Sequence, residues 1–284
     1  MRTVTLADGT AVPALGLGTW RFGENAGNRA RDIDAVRVAL QLGYRLIDTA
    51  EMYGSGGAEQ VVGRALVAAI AAGELRREDV FVVSKVLPSH ADQRGVAAAC
   101  KASLDRLGIE QLDLYLLHWR GPVPLAHTVD ALERLRDDGL IRRWGVSNFD
   151  VIDMEDLLRL PGGAQCAANQ VYYSVAQRGV EFDLLPWQRT RGIATMAYSP
   201  IDQGALAKQT ALATVGARHG LTATQVALAW AVRAPDVIAI PQSGRIEHLR
   251  DNLAAAALTL DANDLAALDR AFPPPTRKRP LAMT

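Results

Sequence analysis

The sequence predicts an α/β fold, a closed (β/α)8 (TIM) barrel preceded by a short N-terminal β-hairpin, on three observations. Eight short runs rich in Val, Ile, Leu and Ala recur along the chain, longer amphipathic stretches separate them, and nearly every apolar run ends in polar side chains. Alternating strand and helix signals indicate repeated βα units around a parallel sheet. Eight such strands favour closure over an open, doubly wound sheet of five or six. The 284 residues suit one large barrel or two ordinary domains. The unbroken alternation favours a single domain over 1–284.

The elements follow in order. Val4-Thr5-Leu6, the turn Asp8-Gly9 and Ala11-Val12 read as a hairpin within residues 1–13, a plug ahead of the main fold. The expected strands are Ala14–Gly18, Leu46–Thr49, Val80–Ser84, Leu112–Leu117, Arg143–Ser147, Ala167–Asn169, Ala194–Ala197 and Val237–Ile240. Helices are expected at Asp32–Leu42, Ala58–Ala72, Gly95–Leu107 and Val129–Asp138, each followed by a glycine (Gly43, Gly73, Gly108, Gly139) that suits a helix end. Later helices are expected at Val151–Leu160, Glu181–Arg191, Thr222–Ala234, Ile246–Ala257 and Ala262–Ala271, with Thr222 and Asp261 offering N-capping oxygens. From Phe272-Pro273-Pro274-Pro275 an extended tail, residues 272–284, carries Arg277-Lys278-Arg279, read as a solvated basic run.

Composition narrows the function classes. Lys and Arg number 31 against 31 Asp and Glu, with 49% apolar residues, which fits a globular protein and argues against nucleic-acid binding by bulk charge. The longest apolar run, Ala65 to Ala72, is far short of the about 20 residues that span a bilayer. The N-terminal stretch has no apolar signal core, so the expected location is cytoplasmic. Cys100 and Cys166 stand without metal-ligand spacing and read as reduced core thiols, and no metal is expected. Only four of the cations are lysines, Lys85, Lys101, Lys208 and Lys278, so each retained lysine draws notice.

In α/β barrels catalytic groups come from the C-terminal ends of several strands. Here the second strand ends in Asp48 with Tyr53 five residues on, the third in Lys85 and the fourth in His118. The next exits are Ser147-Asn148, Asn169-Gln170, Tyr198-Ser199 and Gln242-Ser243. An acid, a phenol, an ammonium and an imidazole on adjacent strands converge on one side of the mouth. A tyrosine near its ordinary pKa of about 10 is a weak proton donor at neutral pH, and a nearby ammonium is expected to lower that value. In this reading Tyr53 is the general acid, Lys85 tunes it, Asp48 holds the lysine charged, and His118 orients a substrate oxygen or relays a proton. A Schiff-base role for Lys85 is disfavoured, since Asp48 would keep it protonated. Metal-assisted hydrolysis lacks a ligand cluster at the strand ends.

Gly43-Tyr44-Arg45-Leu46-Ile47-Asp48-Thr49-Ala50-Glu51-Met52-Tyr53-Gly54 resembles the first signature of the aldo-keto reductase superfamily, Ser84-Lys85-Val86 its lysine motif, and Leu112 to Trp119 its histidine motif. The likeness runs from Leu15-Gly16-Leu17-Gly18-Thr19-Trp20 through Gly145-Val146-Ser147-Asn148-Phe149 and Asn169-Gln170 to Ile240-Pro241-Gln242-Ser243. Leu160-Pro161-Gly162-Gly163 and Tyr198-Ser199-Pro200 resemble the bacterial methylglyoxal-reductase branch. The resemblance implies a nicotinamide cofactor and reduction of aldehydes or ketones, such as 2-oxoaldehydes and aromatic aldehydes. It also implies a monomer. Ser147, Asn148 and Gln170 would hold the carboxamide, Tyr198 would stack on the nicotinamide, and the segment from Ser199 to Gly204 would pass the pyrophosphate. Ser243, Arg245, Asp251 and Asn252 would hold the adenosine end. Where many members carry a lysine and an arginine, this chain has Gln242 and His248, which implies NADPH preference with a narrowed margin over NADH. Trp20, Met52, Leu87, Trp119 and Phe149 are expected to line the substrate pocket, with Arg21 and Arg120 as solvated rim. A second reading, a nucleotide-binding regulatory subunit, is compatible with retention of Asp48, Tyr53, Lys85 and His118 together. It is disfavoured by the lack of an added N-terminal segment or a large apolar stretch for a partner.

Overall fold

A computed structural model of the chain describes residues 2–284. The hairpin comes first: β1 (Thr3–Thr5) and β2 (Ala11–Pro13) pair antiparallel with Val4 opposite Val12, both buried. Asp8 at its tip pairs with Arg143, which directly precedes the barrel strand at Trp144, at 2.5 Å. The hairpin therefore covers the N-terminal end of the barrel, the end away from the strand exits.

Eight parallel strands follow in chain order, each bonded to its predecessor: β3 (Leu17–Gly18), β4 (Leu46–Asp48), β5 (Phe81–Val86), β6 (Leu114–Leu117), β7 (Trp144–Ser147), β8 (Ala168–Tyr172), β9 (Ala194–Tyr198) and β10 (Val237–Ala239). Bridges Leu15↔Ala239 and Gly18↔Gln242 join the first of these to the last and close the barrel. The strands are apolar and buried almost throughout, as a sheet covered on its outer face by helices and packed within must be. Consecutive side chains point alternately into the barrel and out to the helices.

Ten helices surround the sheet among the described residues: α1 (Arg29–Leu42), α2 (Gly57–Ala71), α3 (Gln93–Leu107), α4 (Leu125–Asp137), α5 (Val151–Leu158), α6 (Leu184–Arg189), α7 (Thr210–His219), α8 (Ala223–Ala231), α9 (Ile246–Ala257) and α10 (Ala262–Ala271). None is long and apolar enough to cross a membrane. Gly43, Gly73, Gly108 and Gly139 take left-handed φ at the ends of the first four. Thr222 and Asp261 both form capping boxes. Two expectations are corrected. The stretch Glu181–Arg191 divides into a 3-10 turn, Gly179–Glu181, and α6, because Pro186 is tolerated only within the first turn of a helix. Helix α7 was not anticipated; its buried face comprises only Leu212, Val215 and Gly216, too sparse a stripe to register.

The tail returns along the barrel. Arg178 donates to Phe272 O at 2.6 Å, and Lys278 pairs with Asp150 and, at 2.9 Å, with Asp183. The basic triplet is thus not uniformly solvated, since its lysine holds the tail to the starts of α5 and α6.

Packing between α2 and α3 supplies a stability test. A Cβ on Gly63 would lie 2.6 Å from the carbonyl oxygens of both Arg106 and Leu107. Alanine gains about 0.8–1 kcal/mol in helix propensity, but displacing packed backbone costs about 1–3 kcal/mol. Gly63→Ala is therefore expected to lower the thermal midpoint by a few degrees; a midpoint equal to or above wild type in a melting scan would refute this.

Candidate active site

Lys85 is fully buried. Its Nζ donates to Asp48 Oδ2 at 2.6 Å, Thr49 O at 2.9 Å and Tyr53 Oη at 3.1 Å, so all three ammonium protons are used. Asp48 accepts a second bond on Oδ1, from Gln170 Nε2 at 2.8 Å. Burial opposes charge on both partners and pushes Asp48 upward. Lys85 is nonetheless held above its ordinary range, because Asp48 and Tyr53 outweigh its own burial. With Tyr53 Oη accepting from Lys85, the phenolic proton is left to point toward the cavity.

For Tyr53 the expectation was that Lys85 would lower its pKa. Enclosure instead pushes it above the ordinary value, Lys85 pulls it back, and the Asp48 charge adds to the push. The corrected picture is a phenol that keeps its proton across neutral pH. Its ring meets His118 edge to face, centroids 5.7 Å apart. Burial, with Lys85 in support, pushes the His118 imidazole down to about 3, so it is neutral near pH 7. Its Nδ1 is buried without a hydrogen-bond partner among the described residues. A bare lone pair there is better tolerated than a stranded N–H, which favours the proton on Nε2.

These groups open onto an elongated cavity of about 1120 Å³ at the strand exits. Asp48, Tyr53 and His118 line it, with Trp20, Met52 and Trp119 beside them. Ser147, Asn148, Gln170, Tyr198, Ser199 and Gly204 also line it, as do Gln242, Ser243, Arg245, His248, Asp251 and Asn252. The Tyr198 hydroxyl donates to Asn148 Oδ1 at 2.9 Å, and its ring stacks on Tyr172 at 5.6 Å and 14°. The stack covers one face of Tyr198. The backbone turns sharply around the rim: Arg21, Asn148, Ser199, Asp202 and Gln203 all adopt positive φ without being glycine. Such conformations cost about 1–3 kcal/mol each and concentrate at functional sites.

Two expected pocket residues lie elsewhere. Phe149 is wholly buried and outside the lining: the left-handed turn at Asn148 directs the next side chain into the core, where Asn169 binds the Phe149 backbone on both sides. Leu87 leaves the mouth because it precedes a 3-10 turn, Pro88–His90, that carries the chain away; its N–H donates to Glu51 at 2.7 Å. Of the two rim arginines, Arg120 is occupied by Asp153 and Asp156, whereas Arg21 lines the cavity and stacks on Trp20 at 4.5 Å. Sequence reasoning missed Met283 and Thr284, which the returning tail brings to the cavity, and the start of α8 at Thr222 to Gln225. Neither carries a local signal of a site. Cys100 and Cys166 are free and buried, and burial pushes both thiols up to about 12.

Residues 14–272 match the Aldo/keto reductase family. Methylglyoxal reductase YeaE of Escherichia coli (strain K12) is 45% identical over 287 residues, covering 99% of each chain. The crystal structure of an aldo/keto reductase from Klebsiella pneumoniae in complex with NADP and acetate superposes with a TM-score of 0.94 at 45% identity, covering 100% of this chain and 99% of that one. A second Klebsiella pneumoniae aldo-keto reductase structure, in complex with NADPH, matches with the same TM-score, identity and coverage. With a family match spanning nearly the whole barrel, and an acid, a phenol, a lysine and a histidine meeting at its mouth, this chain belongs to the aldo/keto reductase family.

Proposed function

We propose that the protein reduces aldehydes and ketones to alcohols with NADPH, with Tyr53 as the proton donor. The observation that carries this reading is the bond from Lys85 Nζ to Tyr53 Oη, 3.1 Å long, which leaves the phenolic proton to the cavity. The name of the Escherichia coli relative favours 2-oxoaldehydes such as methylglyoxal, and the aromatic and apolar wall of Trp20, Met52 and Trp119 suits aromatic aldehydes as well.

The donor set fits a nicotinamide nucleotide. Gln170 spends its amide N–H on Asp48 and keeps its carbonyl for an amide donor, while Ser147 and Asn148 add hydroxyl and amide groups beside it. Tyr198, backed by Tyr172, offers its remaining face to a flat ring. The left-handed residues from Ser199 to Gly204 make the kind of backbone concavity that suits phosphates. Ser243 and Arg245 lie at the N-terminus of α9, a favourable place for a further phosphate. When bound, the cofactor supplies a hydride to the carbonyl carbon.

The rest falls to the chain. His118, neutral and placed beside Tyr53, donates a hydrogen bond that orients the carbonyl oxygen. Tyr53 Oη passes its proton to that oxygen as the alcohol forms. The phenolate left behind is stabilised by Lys85, whose own charge is held by Asp48.

Three outcomes are expected. Tyr53→Phe lowers kcat for methylglyoxal or 4-nitrobenzaldehyde at least about 100-fold, followed at 340 nm, while the NADPH Kd from fluorescence titration shifts less than about threefold; a lost cofactor affinity would count against the assignment. Because reduction needs the protonated phenol, whose pKa is raised, and His118 stays neutral above about 3, kcat/KM is expected to be level from about pH 5 to 9 and to fall only on the alkaline side. A fall centred near pH 6.5 would instead point to a protonating imidazole. Arg245→Ala is expected to reduce kcat/KM with NADPH by about tenfold or more and with NADH by far less; equal losses would remove Arg245 from 2′-phosphate recognition.

A further inference from the structure

Behind the catalytic wall, between the sheet and the helices, lies a second buried polar cluster that the reaction above does not use. Lys85 points into the barrel, so its neighbour Ser84 points outward. There Ser84 Oγ donates to Glu59 Oε1 at 2.6 Å, and Arg106 Nε donates to Glu59 Oε2 at 2.6 Å. Arg106 also reaches Ser103 Oγ at 3.2 Å. Glu59 is wholly buried in the first turn of α2. Removing a carboxylate from water costs several kcal/mol, and an apolar residue often serves equally well in a purely architectural role. A charge kept here calls for a further reason.

The geometry supplies one. Tyr53 sits on a turn that runs directly into α2, and the three residues after it, Gly54, Ser55 and Gly56, all have left-handed φ of 56°, 51° and 86°. Such a run is not continuous with the helix, so the position of Tyr53 depends on what braces it. The Arg106 side chain lies directly beneath: a Cβ on Gly56 would stand 2.7 Å from its Cδ and Nε. Glu59 holds Arg106 in that place. Through Ser84, the same carboxylate grips β5 one residue from Lys85.

We propose that Glu59 is a positioning residue: its bonds to Ser84 and Arg106 hold the Tyr53 turn within hydrogen-bond reach of Lys85 and so set how strongly the ammonium acts on the phenol. This inference rests on the reductase reading above. The groups that face Tyr53 are Asp48 from β4, Lys85 from β5, His118 after β6 and Tyr198 from β9. Those facing Glu59 are Ser84 from β5, Cys100 and Arg106 from α3, and Tyr115 from β6.

The test uses Ser84→Ala, which cuts the link to β5 while Arg106 keeps its partner, alongside Glu59→Gln and the hydroxyl-preserving Ser84→Thr. Methylglyoxal reduction is measured across pH 6 to 11 together with NADPH Kd and melting temperature. In Ser84→Ala, kcat is expected to fall about tenfold and NADPH Kd to change less than about threefold. The alkaline fall of kcat/KM should move up by about half a pH unit or more, because Lys85 acts more weakly on the phenol. Ser84→Thr should restore the wild-type profile. Activity lost only in step with folded protein, or an alkaline limb that does not move while the wild type turns over normally, would overturn this inference alone. Should Glu59→Gln fail to fold, Ser84→Ala decides the matter. A wild type with no carbonyl turnover would overturn the reductase reading, and this inference with it.

Discussion

The buried ion pair of Lys85 and Asp48 is the constraint around which the mouth of this barrel is arranged. An ammonium withdrawn from water is tolerable only if each proton finds an acceptor, and here a carboxylate, a backbone carbonyl and a phenol supply the three. Removing any one would leave a charge stranded in an apolar wall. The pair therefore does more than attract: it dictates that β4 and β5 exit side by side in register and that the chain after β4 curl back to bring Tyr53 within reach. Gln170, from the far side of the barrel, completes the Asp48 shell and couples this wall to the middle of the cavity.

Short strands make such convergence feasible. None of the eight exceeds six residues, and side chains from β4 through β9 meet across the mouth. The hairpin of β1 and β2 covers the opposite end, so chemistry and access belong to one face. Strain gathers on that face as well: Arg21, Asn148, Ser199 and Gln203, four non-glycine residues with positive φ, border the cavity, and the regular helices behind it carry none. The rigid barrel and its capped helices offset that cost.

Much of this was legible in the residues. Short runs rich in Val, Ile and Leu marked all eight strands to within a few positions, and glycine punctuation marked the first four helix ends, because both signals are local. The four polar residues at strand exits could be read together for the same reason: in a barrel, strand order becomes spatial order. What escaped notice depended on long-range geometry. Phe149 looked like a pocket residue by its place in the chain, yet one left-handed residue before it turns the side chain inward. Met283 and Thr284 reach the cavity because Arg178, through Phe272 O, and Lys278 pin the tail that carries them. The Tyr53 pKa was read from its charged neighbours, whereas its direction follows from enclosure, which no spacing of letters reports.

The seam between β3 and β10 has a consequence for how the chain reaches this state. Closure joins the first barrel strand to the last, through bridges at Leu15 and Gly18. During synthesis, therefore, the growing sheet carries two raw edges until β10 and Gln242 have emerged, and a contact of such sequence separation is slow to form. Open edges of that kind invite pairing with another chain. The barrel's last-made bonds thus end its exposure to aggregation, and the interval before they form is when a chaperone would matter most.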